Sequence, residues 1–319
     1  MSLKPFLVFI QNHPRLKLNL ILAAVLLALI PYKNDYYQLD LSQSKPLVRP
    51  TNYQFLPLSD YPVKIDNQPA PFITSRSAII IDASSKTILY AKNPDLKLLP
   101  ASTTKIMTAL VALDNYQLND ILTINEIQTE PVVMKLEPGE KISVENLLYG
   151  LLVGSANDAA LALAQNYPGG ESNFIIAMNQ KAIDLHLTST QFTNPVGFDN
   201  FGQYTTVHDL SLLTAIAMDS PVIRRLVSTA VITVSDTDNT VTHKLENLNQ
   251  LLGKVPGLSG VKTGFTQLAG ECLVTYTKRD GRALIVVILS GSDRFIDAQS
   301  LIDWAFTHFT WQGLPEASR

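Results

Sequence analysis

Cysteine is nearly absent: Cys272 is the single one in 319 residues, so neither a disulfide framework nor a thiolate metal cluster can form within the chain. It stands in the apolar run Cys272-Leu273-Val274, where a buried, inert thiol is expected. The five histidines, His13, His186, His208, His243 and His308, show no His-Glu-x-x-His pattern and no close pairing. No metal site and no cofactor are therefore expected. Excess positive charge is lacking too. Lys plus Arg number 25 against 28 Asp plus Glu, a net charge of −3, and no basic footprint points toward nucleic acid. There is no Gly-x-Ser-x-Gly and no histidine with a discernible place in a triad, which excludes an α/β-hydrolase reading. Internal repeats are missing.

Charge is sparse at 17% of residues and apolar residues make up 46%, a globular composition far from disorder. The one long apolar run, Leu18 to Ile30, is broken only by Asn19 and follows Lys4, Arg15 and Lys17. Its thirteen residues suit a signal-peptide core, yet no clear small-x-small cleavage site follows in Ala28-Leu29-Ile30-Pro31-Tyr32. A cleaved signal and a retained membrane anchor, within residues 1–34, both remain open. The basic flank places the N-terminus in the cytoplasm and everything after Tyr32 outside. Residues 35–72, rich in proline, asparagine and serine without sustained periodicity, read as an extended linker.

A catalytic domain is expected over residues 73–312. Ala78–Asp82 and Thr87–Tyr90 are β-prone runs that suggest a hairpin. Cys272–Thr277 and Ala283–Leu289 flank Lys278-Arg279-Asp280-Gly281, where Asp-Gly supplies the positive-φ residues of a tight turn. Between these pairs, Ile106–Leu113, Val144–Val153, Ala159–Gln165, Phe174–Leu185 and Val207–Met218 carry apolar residues at helical spacing. Thr206, three residues before Asp209, reads as the cap of the last. Phe295, Leu301, Ile302, Ala305, Phe306 and Phe309 mark a final amphipathic helix. Strands at both ends around a helical middle imply an α/β (α+β) fold. One antiparallel sheet is closed by the chain's two halves and flanked by helices, with an all-helical subdomain inserted at about 106–250.

Chemistry enters with Ser102-Thr103-Thr104-Lys105 at the start of a helical run. Serine and lysine three apart on a helix share a face. A lysine amine kept neutral by burial or a neighbouring cation can take the proton of a serine hydroxyl, giving a nucleophile and base without histidine. Ser42–Lys45 and Ser259–Lys262 repeat the spacing. The first lies in the linker before Pro46, and the second crosses Gly260 before an expected strand, so neither puts its pair on a helical face. Gly154-Ser155-Ala156-Asn157 adds a second hydroxyl and an amide able to relay a proton and hold a substrate carbonyl. By itself it is also an ordinary helix start. Val261-Lys262-Thr263-Gly264 puts a cation, a hydroxyl and a permissive glycine in a row. On an edge strand these could hold a carboxylate while the N–H after the glycine faces the reacting carbonyl.

Ser-x-x-Lys, Ser-x-Asn and Lys-Thr-Gly in this order, at spacings of about 50 and then about 105 residues, form the signature of penicillin-binding proteins and serine β-lactamases. From about Ser75 to Phe309 the chain resembles the low-molecular-mass D-alanyl-D-alanine carboxypeptidases, peptidase family S11 of the β-lactamase-like superfamily. Met178-Asn179-Gln180-Lys181-Ala182, the segment Phe192 to Phe198, the segment Glu246 to Leu252 and Lys262-Thr263-Gly264-Phe265-Thr266 carry this likeness. The resemblance implies that Ser102 forms the acyl-enzyme with Lys105 as general base, and that Ser155 and Asn157 relay protons and hold the substrate amide. It further implies that Lys262 and Thr263, with Gly264 beside them, bind the terminal carboxylate, that the N–H groups of Ser102 and Phe265 form the oxyanion hole, and that Arg294 adds charge there. The partners implied are peptidoglycan stem peptides ending in D-Ala-D-Ala and β-lactams as covalent inhibitors, met at the extracytoplasmic face of the membrane. Members of the family often continue into a β-rich C-terminal domain. Here the chain ends about ten residues after Phe309, and any anchoring is expected from the N-terminus.

Three alternatives stand beside this reading. A DD-endopeptidase would use the same residues. A class A β-lactamase needs a glutamate after Ser-x-Asn to activate a deacylating water, and the candidates Glu171 and Glu246 lie in segments that otherwise match the carboxypeptidases. A non-catalytic envelope-binding domain would have no need of Lys105.

Overall fold

Strands β9 (Gly270–Arg279) and β10 (Arg282–Gly291), which follow β8 (Leu258–Thr266), form a hairpin closed by Asp280 and Gly281. Both loop residues have positive φ, 47° and 78°, the conformation a two-residue connection of right-twisted strands requires. Arg279 thus faces Arg282 across the turn and the register is set. The computed structural model describes residues 60–125 and 132–313, and Leu22. The basic-apolar segment apart from Leu22, the linker up to residue 59, His13 and the Ser42–Lys45 pair lie outside the described residues. Among the described residues no helix is long and apolar enough to cross a membrane.

The hairpin of β2 (Ser77–Asp82) and β3 (Ile88–Lys92) joins the C-terminal strands edge to edge, with Ile80 opposite Val286. The result is one antiparallel sheet in the order β3-β2-β10-β9-β8, closed by the two ends of the domain as expected. Both its faces are buried. Ala78, Ile80, Leu284, Val286 and Ile288 meet Ala298, Leu301, Ile302 and Ala305 of the last helix, while Ile79, Ile81, Val274, Ile285 and Val287 face the helical subdomain. A sheet covered on both sides has no solvent face to show polar alternation, so β10 reads as the unbroken run Leu284–Leu289. Cys272 is buried on the helical side, and burial pushes its thiol up to about 11, an inert group at neutral pH.

The helices are α1 (Lys105–Asn115), α2 (Val144–Leu152), α3 (Asn157–Gln165), α4 (Gly170–Asp184), α5 (Val207–Asp219), α6 (Pro221–Val227) and α7 (Arg294–His308). Every residue of α1 from Lys105 to Ala112 is buried, as expected of a predominantly apolar helix enclosed on all sides. The Thr206 hydroxyl accepts the Asp209 N–H at 3.0 Å and caps α5. Between the helices run two short antiparallel ribbons that periodicity did not announce. These are β4 (Ile121–Thr123) with β5 (Lys141–Ser143), and β6 (Val231–Ser235) with β7 (Thr242–Glu246). Strands of three to five residues, half exposed, are too short for a period to register. Phe309, read as the end of the last helix, begins β11 (Phe309–Gln312) instead and pairs with Lys64 of β1 (Tyr61–Lys64). Its ring still packs edge-on against Trp304 of α7 at 5.4 Å, which is why its apolarity matched the helical pattern.

The segment entering β2 is pinned by one carboxylate. Asp297, 2% exposed in the first turn of α7, accepts the N–H and hydroxyl of Thr74, each at 3.0 Å, and the N–H of Ser75 at 2.9 Å, along with the Ser75 hydroxyl. Removing it strands the N–H and hydroxyl of the buried Ser75. Asp297→Ala should cost about 3 kcal/mol of unfolding free energy, read as a lower denaturant midpoint at unchanged slope.

Candidate active site

Pro100 precedes a short 3-10 turn, Ala101–Thr104, that runs directly into α1. Ala101 holds φ at +47° without being glycine, a local strain kept by the packing around it. This turn presents Ser102 half-buried at the head of the helix and Lys105 one turn on. Lys105 is 0% exposed. Its Nζ lies 2.9 Å from Ser102 Oγ, 2.8 Å from Asn157 Oδ1 and 2.9 Å from the carbonyl oxygen of Val196. Burial holds its pKa well below the usual lysine value, the Lys262 cation pushes the same way, and Asp158 opposes both.

In the free-amine form these three contacts acquire a direction. An uncharged amine has two N–H donors and one lone pair. The Asn157 and Val196 oxygens can only accept, so they take the two N–H groups. The lone pair is left facing the one partner that can donate, the Ser102 hydroxyl. The arrangement can therefore remove a proton from that hydroxyl.

The chain leaves α2 through Gly154 and Ser155, the latter in the left-handed region at φ +56°, and Asn157 starts α3. The Asn157 N–H donates to the Val132 carbonyl at 2.7 Å. Ser155 is buried on the same turn, and among the described residues its hydroxyl has no protein partner.

Opposite lies β8, an edge strand of the sheet. Lys262 and Thr263 are buried, and Lys262 Nζ donates to the Thr263 carbonyl at 3.0 Å. Burial, helped by the Arg294 cation, brings Lys262 down to about 7. Gly264 passes so close to the turn that a Cβ there would sit 3.0 Å from Ser102 N and 3.2 Å from Thr103 N. Phe265 follows, 61% exposed. Arg294 reaches this strand from α7. Its Nη1 donates to the Gly264 carbonyl at 2.6 Å, and its own N–H bonds Glu271 Oε2 at 2.8 Å. The structure thus joins all three motifs, Lys105 bonding both Ser102 and Asn157 directly and Gly264 passing close to the backbone of the nucleophile turn. Ser259 and Lys262, by contrast, lie three apart on a strand, where side chains alternate sides.

A family model described as D-alanyl-D-alanine carboxypeptidase matches residues 64–293. The chain belongs to that family. It is 32% identical over 248 residues to a D-alanyl-D-alanine carboxypeptidase of Bacillus subtilis, DacF, covering 74% of this chain and 63% of that one. It is 35% identical to a D-alanyl-D-alanine endopeptidase of Pseudomonas aeruginosa, covering 74% of this chain and 78% of the relative. Among solved structures, the crystal structure of a Streptomyces DD-transpeptidase superposes with a TM-score of 0.72 at 32% identity, over 75% of this chain and 100% of that one. The fold is that of the penicillin-binding enzymes.

Two features of this carboxypeptidase-family site were not legible beforehand. Asp158, next to Asn157, is buried and accepts the N–H groups of Met134 at 3.0 Å, Leu136 at 3.1 Å and Ala159 at 2.9 Å. His243 on β7 is buried as well, with Nε2 2.8 Å from Glu140 Oε1 and Nδ1 2.8 Å from the Met134 carbonyl. Together they hold the segment around Met134 against α3. Asp after Asn at a helix start reads as capping, and a histidine–glutamate pair 103 residues apart leaves no local pattern.

The closeness of Gly264 to Ser102 N sets a test. Gly264→Ala adds a methyl where the turn's N–H groups face β8. It should slow acylation by a penicillin about tenfold or more, measured by stopped flow, while the denaturation midpoint moves little.

Proposed function

We propose that this chain is a serine D-Ala-D-Ala carboxypeptidase that removes the terminal D-alanine from peptidoglycan stem peptides through an acyl-enzyme on Ser102. The observation that carries the reading is the buried Lys105 amine, its two N–H groups taken by Asn157 and Val196 and its lone pair left for Ser102 Oγ. The Ser102 oxygen attacks the carbonyl of the penultimate D-alanine and its proton passes to Lys105. The N–H groups of Ser102 and Phe265 take the developing oxyanion. Lys262 and Thr263 bind the terminal carboxylate, with Arg294 adding positive charge from behind β8. The amide C–N bond then breaks, and the leaving amine receives a proton through Ser155. Water releases the acyl group as the shortened stem and returns Ser102 to its free form.

β-Lactams enter the same sequence but are expected to leave slowly. Of the glutamates that a β-lactamase reading would need, Glu246 pairs with Lys244 at the surface and Glu171 lies in the first turn of α4. The basic residues Lys4, Arg15 and Lys17 ahead of the Leu18–Ile30 run support export, with action on the outer side of the membrane and either release or anchoring by that segment. A second reading, cleavage of cross-links, is favoured by the 35% identity to a relative named an endopeptidase. It differs only in which amine leaves.

Intact mass after brief exposure to a labelled penicillin tests the core of this. The wild type should carry one stable adduct and Ser102→Ala none. Rapid hydrolysis without an adduct would turn the reading into a β-lactamase, and silence toward both penicillin and D-Ala-D-Ala peptide into a binding domain. Release of free D-alanine from a pentapeptide, compared with cleavage of a cross-linked dimer, separates carboxypeptidase from endopeptidase.

The pH profile has a definite sign. Lys105 acts only as the free amine, so acylation falls as pH drops through its lowered pKa, well below 10.5. Lys262, at about 7 in the free enzyme, loses its charge as pH rises through that value. For a carboxylate-bearing peptide, kcat/KM, which reports the free enzyme, should therefore fall on the alkaline side. An esterified substrate lacking the carboxylate should not show that limb.

A further inference from the structure

One of the two accepting oxygens on Lys105 belongs to the main chain, and its place is set by side chains that touch neither Ser102 nor the cleft. Val196 lies in the turn 193–198, which wraps around a single side chain. Asn194 Oδ1 accepts the N–H groups of Val196 at 3.2 Å, Gly197 at 2.7 Å and Phe198 at 3.0 Å, and Asn194 Nδ2 donates to the Phe198 carbonyl at 3.2 Å. The Pro195 carbonyl accepts the Thr108 hydroxyl of α1 at 2.6 Å. Gly197, at φ +97°, runs so tightly along the nucleophile turn that a Cβ there would lie 1.9 Å from the Ala101 oxygen. Buried Gln203 ties the two turns together. Its Oε1 accepts from Thr193 N at 3.0 Å and Asn194 N at 3.2 Å, and its Nε2 donates to Thr104 Oγ1 at 3.3 Å.

We propose that Asn194, braced by Gln203, is a positioning residue for the acylation step: it holds the Val196 carbonyl where it takes one proton of the Lys105 amine and so keeps the lone pair on the Ser102 hydroxyl. This rests on Lys105 acting as the general base. Without the Val196 oxygen, one N–H of the neutral amine is free to turn toward Ser102 Oγ, and the base then donates to the nucleophile it should deprotonate. The ammonium form also loses one of its three acceptors, which favours the neutral form further. The charged groups bearing on Lys105 are Lys262 from β8 and Asp158 from α3, and neither is altered when Asn194 is replaced.

The test is the rate of penicillin acylation across pH for the wild type, Asn194→Ala and Asn194→Asp, with saturation separating prior binding from the covalent step. Asn194→Ala should lower the plateau about tenfold or more, leave prior binding within about twofold, and move the acid limb to lower pH. Asn194→Asp keeps an oxygen that accepts the three N–H groups and adds a negative charge. It should hold the plateau within about threefold and move the acid limb to higher pH. Displacements of opposite sign do not arise from general loosening of the loop. If Asn194→Ala fails to fold, Gln203→Met, which keeps the Asn194 side chain but removes the brace to Thr104 and the acceptor of the Thr193 and Asn194 N–H groups, should show the same lowered plateau with prior binding unchanged. A plateau and acid limb like the wild type's in the variant tested, or equal losses in both Asn194 variants with the acid limb unmoved, would overturn the inference. Absence of any adduct on the wild type would overturn the reading of Lys105 and Ser102 itself, and this inference with it.

Discussion

Everything around the cleft depends on keeping one lysine amine dry. An ammonium group withdrawn from water without a counter-ion is unstable by several kcal/mol, and the protein answers by releasing the proton. Lys105 sits inside a layer of helices with no acid on its nitrogen: the three atoms it touches are a hydroxyl, an amide oxygen and a main-chain carbonyl. Asp158 is near enough to act through its charge, yet both its oxygens are occupied by main-chain N–H groups. Had that carboxylate bonded the amine directly, the pair would have been ionic and the lone pair lost.

This demand explains the layered build. A buried lysine needs packing on every side, so α1 is buried from Lys105 to Ala112 and is enclosed by the other helices on one side and the sheet on the other. The sheet in turn needs its second cover, α7, whose first residue Arg294 bonds the backbone of β8. Burial, and after it the same guanidinium, lower Lys262 to about 7, so the cation expected to meet a substrate carboxylate titrates near neutrality. It gains that charge most readily when a carboxylate arrives. One edge of the sheet is left open at β8, where Gly264 and Phe265 border the nucleophile turn. Exposed strand edges invite other chains to pair with them, and here the open edge lies where an extended peptide could be laid against Ser102.

Much of this was legible because the residues involved answer local rules. The Asp280-Gly281 turn, the Thr206 cap and the apolar strands each follow from a few neighbouring side chains, and they were enough to place one sheet closed by both ends of the domain. Ser102 and Lys105 were legible as one turn of helix. What escaped were partners joined only by folding. Val196 offers a carbonyl, which every residue has. Asn194 and Gln203 act by wrapping and bracing main chain, a role that amide side chains play in any turn. His243 and Glu140 meet from separate ribbons. The short strands β4 to β7 escaped because three to five residues carry no readable period, and Phe309 was misplaced because a ring packed on α7 from the next strand satisfies the helical pattern.

The relatives named carboxypeptidase, endopeptidase and transpeptidase share one chemical problem, and the site geometry suggests why one fold serves all three. On the proposed reading, the residues that make the acyl-enzyme are gathered within one turn of α1 and the start of α3, and they act on the carbonyl side of the scissile bond alone. On the same reading, which amine leaves is decided at Lys262 and Thr263 of β8, where the leaving group's carboxylate would be bound. What later attacks the ester is decided by whatever reaches the cleft through its open side. The two decisions rest on different elements from the nucleophile and base, so they can change without disturbing the buried amine. On that reading, one first half of the reaction and a changeable second half follow from where the lysine is hidden.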